Sequence, residues 1–178
     1  MSSKISWKVF FDLQCPYSKV CWKNLPAIRA RFQDKYDFSI VITSLAFHPQ
    51  AFTGQCAATL IGNVKGPEAR AHFEDACFEH QDSFMNAALG DCKKSDVDKA
   101  FAHIASVSGL FDETLTEEYF LANLSDWEKA VKPAYAEHKV ALGYGVYGTP
   151  KHVINEVLIP DTESAWGVDE WAKVLEKM

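Results

Sequence analysis

No apolar run in the sequence approaches the ~20 residues that a membrane-spanning helix needs. No stretch is densely basic either. With 18 Lys+Arg against 24 Asp+Glu and a net charge of −6, the chain has no general attraction for phosphate backbones or anionic lipid. Nucleic-acid and membrane partners are therefore not expected. The first eight residues are polar and lack the apolar centre of a secretory leader, so the chain as it stands reads as cytoplasmic, as would a secreted protein whose leader had been removed. Its 5 cysteines are odd in number and irregularly spaced, unlike the framework of a small disulfide-stapled domain. Internal repeats, low-complexity tracts and linkers are also missing. No carboxylate pair suggests acid–base catalysis. His72, Cys77 and His80 share a helical neighbourhood but match no paired zinc spacing, so they read as a solvated helix face and no metal site is expected.

What is present fits one globular domain with an elaboration inside it: 178 residues, 48% of them hydrophobic. The β-formers Ile5, Trp7, Val9, Phe10 and Phe11 predict a buried strand ending near Asp12. A helix is predicted from Ser18 to Phe32, kinked or interrupted at Pro26, and a second strand over 37–47. From Gln55 to Leu142 the pattern is helical with hardly any strand signal, including predicted helices over 68–88, 95–108 and 124–140. The pairs Asp112-Glu113 and Glu117-Glu118 read as helix starts, where carboxylates complement the dipole. Strand character returns after Gly148-Thr149-Pro150, in two short runs around Asn155-Glu156, and a last helix covers 169–177. This order is an α/β core split by a helical insertion.

The tetrapeptide Cys15-Pro16-Tyr17-Ser18 lies where the first strand hands over to the first helix. A helix N-terminus is a setting that favours thiolate over thiol, and proline suits the first helical turn because its missing N–H has no partner there. Cys15 is thus the candidate nucleophile. In a two-cysteine redox motif the residue three places on is the resolving thiol, and here that residue is Ser18, which can donate a hydrogen bond to a thiolate but cannot form a disulfide. Cys21 falls on another side of the helix, about two turns deeper, and reads as core. Cys56, Cys77 and Cys92 read as structural thiols, with Cys56 the least remote as a resolving partner. Gly143-Tyr144-Gly145-Val146-Tyr147-Gly148 has GxGxxG spacing, yet it follows a helix and leads into a strand, the reverse of a dinucleotide site.

Phe11-Asp12-Leu13-Gln14-Cys15-Pro16-Tyr17-Ser18 after the first strand, the helical block in the middle and Gly148-Thr149-Pro150 before two short strands together resemble the DsbA-like branch of the thioredoxin-fold proteins. The tetrapeptide also occurs in glutaredoxins, but their scaffold has no room for the residues between Cys15 and Pro150. The kappa-class glutathione transferases and chromenecarboxylate isomerases share the inserted architecture, typically with serine at the place of Cys15. The resemblance implies an α/β thioredoxin-like fold with an inserted all-helical subdomain, the core formed by residues 1–54 and 143–178 and the insertion by 55–142.

The resemblance further implies that Cys15 is the nucleophile, that Pro16 and Tyr17 shape the rim of the site, and that Pro150 is a cis-proline facing the thiol. The backbone of Thr149 would pair with an extended peptide or with glutathione. Cys15 and Ser18 are then the catalytic candidates, and Pro16, Tyr17, Thr149 and Pro150 the substrate-binding ones. His48 and His152 lie near the site by fold analogy, and each reads as structural or solvent-exposed. The expected activity is thiol-disulfide exchange through a single cysteine on a disulfide-containing or glutathionylated protein or peptide, with no tightly bound cofactor and glutathione as a co-substrate. Two competitors remain at this point: a kappa-type glutathione-dependent transferase or isomerase, and a non-catalytic peptide-binding module.

Overall fold

The structure is a computed structural model that describes residues 4–90 and 92–178. Its centre is a four-stranded sheet in the order β2-β1-β3-β4. Strand β1 (Ile5–Phe11) lies parallel to β2 (Tyr36–Ile42), pairing Ile5 with Tyr36 through to Phe11 with Ile42. On its other side it runs antiparallel to β3 (Lys151–Ile154), with Trp7 opposite Ile154, and β3 turns back into β4 (Val157–Leu158). Asn155 and Glu156 make that two-residue turn at φ 50° and 66°, the left-handed conformation that tight hairpins require.

Because side chains alternate along a strand, β1 serves two cores. Trp7, Val9 and Phe11 enter the larger one, beneath helix α1 (Pro16–Phe32), helix α8 (Val168–Leu175) and most of the inserted helices. Phe10 enters a smaller one with Val41, Val153, Ala141 and Val146. Toward its C-terminal end β1 is covered on both faces and continuously apolar from Val9 to Phe11, while Ser6 and Lys8, on the Phe10 face, are only part-buried. Trp171 of α8 closes the larger core, its ring centroid 4.8 Å from Trp7 and 4.3 Å from His152.

Between β2 and β3 the chain is helical: α2 (Ala51–Lys65), α3 (Pro67–Glu79), a 3-10 turn (Gln81–Phe84), α4 (Asn86–Leu89), α5 (Lys94–Val107), α6 (Glu117–Asn123), a π-helical turn (Trp127–Val131) and α7 (Lys132–Gly143). The predicted α/β core with a helical insertion is thus the observed architecture. Local departures have local causes. Helix α1 continues through Pro26 rather than stopping there. The helix predicted over 68–88 breaks at His80, where Ser83 Oγ donates to the His80 carbonyl and the Gln81 side chain turns inward. The second strand ends at Ile42, not Phe47. Asp112 begins no helix; its carboxylate caps a turn, accepting from Thr114 N at 2.9 Å and Leu115 N at 3.1 Å. Glu117 and Glu118 do open α6. Among the described residues, no helix is long and apolar enough to cross a membrane.

The insertion is seated against the first loop of the core at Gly54. A Cβ there would stand 2.8 Å from the Phe101 ring and 3.2 Å from Leu13 Cδ1. Phe101 is fully buried, with its ring centroid 4.8 Å from that of Phe84, so it has nowhere to retreat. Gly54→Val is expected to lower unfolding stability by roughly 3 kcal/mol, the upper end of ordinary overpacking, as read from the urea midpoint.

Candidate active site

Residues 12–18 leave the C-terminal end of the interior strand β1 and start α1. Cys15 is the N-cap residue, at φ −79° and ψ 120°, and Pro16 occupies the first helical position. The Cys15 N–H donates to the Asp12 carbonyl at 3.0 Å, and the Cys15 carbonyl accepts from Lys19 N at 3.2 Å. The thiol points across the fold to the other half of the chain, where Sγ lies 3.3 Å from the Thr149 carbonyl oxygen. The Thr149-Pro150 peptide bond is cis. Cys15 and the Thr149-Pro150 pair, 134 residues apart for the bonded partners, therefore meet.

Of the other candidates, Tyr17 is 65% exposed and Pro16 is also at the surface, both on the rim. Ser18 is fully buried, and its Oγ accepts the Asp12 N–H at 3.2 Å. Its role here is to brace the loop from within. Lys19 lines a separate cleft with Trp22, Lys23 and Asp75.

Beside the thiol, Tyr17, Tyr147, Gly148, Thr149, Pro150, Lys151 and the loop 162–164 line a cleft of about 520 Å³. Thr149 Oγ1 and Thr162 Oγ1 are buried at that cleft with no hydrogen-bond partner among the described residues. Across Tyr147 a second cavity, of about 490 Å³, is walled by Leu45, Phe47, Phe52, Leu142 and Val146, with His48 and His138 in its lining. Phe47 (67%) and Tyr147 (82%) are exposed aromatic edges of this region.

Sequence reasoning missed the polar frame under the loop. Asp12, Gln14, Gln50 and Gln81 are all buried. The Asp12 carboxylate accepts from Gln14 N and Leu45 N, each at 2.7 Å, and stands 2.9 Å from His48 Nδ1. His48, foreseen as structural or exposed, is thus part-buried on a carboxylate three residues before the thiol. The Gln14 side chain bonds to Gln50 and, at 2.9 Å, to Asn86. Gln81 reaches the carbonyls of Leu13 and Cys15 at 2.8 and 3.0 Å. Glutamines are usually exposed, so nothing in their spacing marks these as interior.

The other thiols are set apart by their surroundings. Burial pushes Cys21 and Cys56 up to about 12, and drives the fully enclosed Cys77 well above the ordinary thiol range. Cys21 packs against His152, Sγ to Nε2 3.7 Å, while His152 Nδ1 accepts the Trp7 indole N–H at 3.1 Å. Cys92 is exposed. His72 is engaged with the Ser108 carbonyl, and no group of three or more metal-ligating side chains forms among the described residues.

No protein-family model matches the chain, and no curated protein matches it. Solved structures do. A protein-disulfide isomerase candidate from Pseudomonas syringae superposes with a TM-score of 0.75 at 21% identity, over 96% of this chain and 93% of that one. The oxidoreductase DsbA from Xylella fastidiosa gives 0.67 at 20% identity, over 99% and 88%. Oxidised BdbD from Bacillus subtilis gives 0.70 at 21%, over 97% and 86%. The chain has the DsbA-like thioredoxin fold. Within that DsbA-like fold, the first loop and the Thr149-Pro150 turn come from opposite ends of the sequence and are brought edge to edge by the β1–β3 pairing.

Proposed function

We propose that the chain is a thiol-disulfide oxidoreductase that works through one nucleophilic cysteine, Cys15. The Cys15 thiolate attacks one sulfur of a disulfide RS–SR′, forming a Cys15–SR mixed disulfide and releasing R′S⁻. A thiolate from outside the site, glutathione or a substrate thiol, then attacks the R sulfur of the mixed disulfide. It takes R as a new disulfide and returns Cys15 as thiolate, so sulfur, electrons and charge balance without a further oxidant. The observation that carries this reading is the placement of Cys15 at the head of α1, against Thr149-Pro150, while burial suppresses ionisation of Cys21, Cys56 and Cys77.

The adjoining cleft supports a peptide or glutathione as the partner. The exposed Tyr17 and Tyr147 offer apolar surface to an extended chain, and the two orphaned threonine hydroxyls at the cleft would gain from polar partners. With serine at position 18 and Cys21, Cys56 and Cys77 buried, resolution by a thiol from outside is the simpler path.

The test is to incubate the protein with oxidised glutathione or a disulfide-bonded peptide, quench with acid and map the adducts. The adduct is expected on Cys15, with slower labelling at the exposed Cys92 and none at Cys21, Cys56 or Cys77. An unmodified Cys15 would sink the proposal. Conjugation of an electrophile to glutathione that survives Cys15→Ala would point instead to the transferase class.

A further inference from the structure

The loop carrying the thiol is held from both sides, and its second support comes from the inserted helices. On the N–H side, Asp12 takes the amides of Gln14 and Cys15, through its carboxylate and its own carbonyl. On the C=O side, the Gln81 carboxamide nitrogen spends both of its hydrogens, one on Leu13 O at 2.8 Å and one on Cys15 O at 3.0 Å. Gln81 is 2% exposed and sits in the 3-10 turn just after the break in the helix, next to the buried Phe84. That break is what aims the side chain inward.

We propose that Gln81 is a positioning residue for Cys15: its two N–H groups clamp the carbonyls on either side of Gln14, fixing the thiol toward Thr149 and favouring its charged form. This rests on the reading of Cys15 as the nucleophile. The Leu13 and Cys15 carbonyl dipoles belong to the loop that carries the sulfur, and the paired amide hydrogens offset the negative ends of those dipoles. Without Gln81 the Leu13 carbonyl loses its donor and the Cys15 carbonyl keeps only the Lys19 N–H, so the loop must shift to find others.

The test compares wild type, Gln81→Met, which keeps length and bulk but has no donor, and Gln81→Glu, which sets carboxylate oxygens against the carbonyls. All are made in a Cys92→Ser background, so that iodoacetamide reports on Cys15. The Cys15 alkylation profile of Gln81→Met is expected to move to higher pH by about 0.5–1 unit, with Gln81→Glu displaced further in the same direction. Rates at neutral pH should fall by roughly 3- to 10-fold. Variants that are merely less stable in urea, with profiles superimposable on wild type, would overturn the proposal. A measurement on the unaltered side chain covers variants that do not fold. The Gln81 side-chain amide resonances of the Cys92→Ser protein should shift with pH at the alkylation midpoint and lose that shift in Cys15→Ser; resonances indifferent to Cys15 overturn it equally. Displaced profiles together with no mixed disulfide from oxidised glutathione would reject the oxidoreductase reading while leaving the clamp standing.

Discussion

Cys15→Ala is expected to reduce mixed-disulfide formation with oxidised glutathione at pH 7 by at least about 1000-fold in a Cys92→Ser background. The size follows from what is left. A thiol titrating near 12, as Cys21 and Cys56 do, is ionised to only about one part in 10⁵ at neutral pH, and its thiolate is the attacking species. Cys77 is more enclosed still. Alanine removes a single atom, from a buried residue whose side chain makes one hydrogen bond, so the fold should survive with a loss of about 1 kcal/mol in the urea melt. Residual exchange within a few-fold of the parent would mean that one of the three interior thiols opens to solvent, and adduct mapping would name it.

His152→Gln is expected to change how stability depends on acid. Burial holds the His152 imidazole neutral, lowering it from 6.5 to about 3, while glutamine offers Trp7 an acceptor but does not titrate. The unfolded chain thus takes up a proton at His152 near pH 6.5 and the folded chain only near pH 3. Between those values the unfolded state holds more protons, so acid favours unfolding and the contribution is fully present only above pH 6.5. As pH falls from about 6 to about 4, the stability of wild type relative to His152→Gln should drop by up to roughly 1.4 kcal/mol per pH unit. Glu74 runs the other way. Buried beside Arg70, it is pushed up from 4.5 to about 7, so between those values the folded state holds more protons and stability falls as pH rises. The two slopes oppose each other between about pH 4.5 and 6.5, which is why the difference between the proteins is the quantity to follow. Urea melts at several pH values measure it, and a difference independent of pH would show that His152 is not held neutral in the folded chain.

The parts of the site written in local pattern were the legible ones. Cys15 and Pro16 announce themselves because a strand end, a thiol and a proline at the first helical position are a contiguous signal. The helical block is legible because a long stretch without strand character cannot hide. What remained unread depends on contacts across the chain. Ser18 looked like a donor to the thiolate, but its oxygen is turned to the Asp12 N–H, a choice made by the loop's own curvature. His48 and Gln81 lie 36 and 66 residues from the groups they hold, and a lone histidine or glutamine carries no periodicity to betray it. Pro26 misled for a related reason: the propensity against interior proline is real, but the packing of Leu25 and Ile28 in the core on either side of it decides the outcome.

The clamp on residues 13–15 also bears on the order in which the molecule assembles. Asp12 and Ser18 are near neighbours of the thiol in sequence and can organise early, whereas Gln50, Gln81 and Asn86 must arrive from 36 to 72 residues away. Closing those loops is slower than making the local contacts, though the β1–β3 pairing, which spans the whole insertion, closes a longer one. Until Gln50, Gln81 and Asn86 have docked, the thiol loop of a refolding protein lacks its frame and stays open to solvent. Pulse-labelling Cys15 during refolding would date the docking of residues 81–86, making the site a clock for the insertion that completes it.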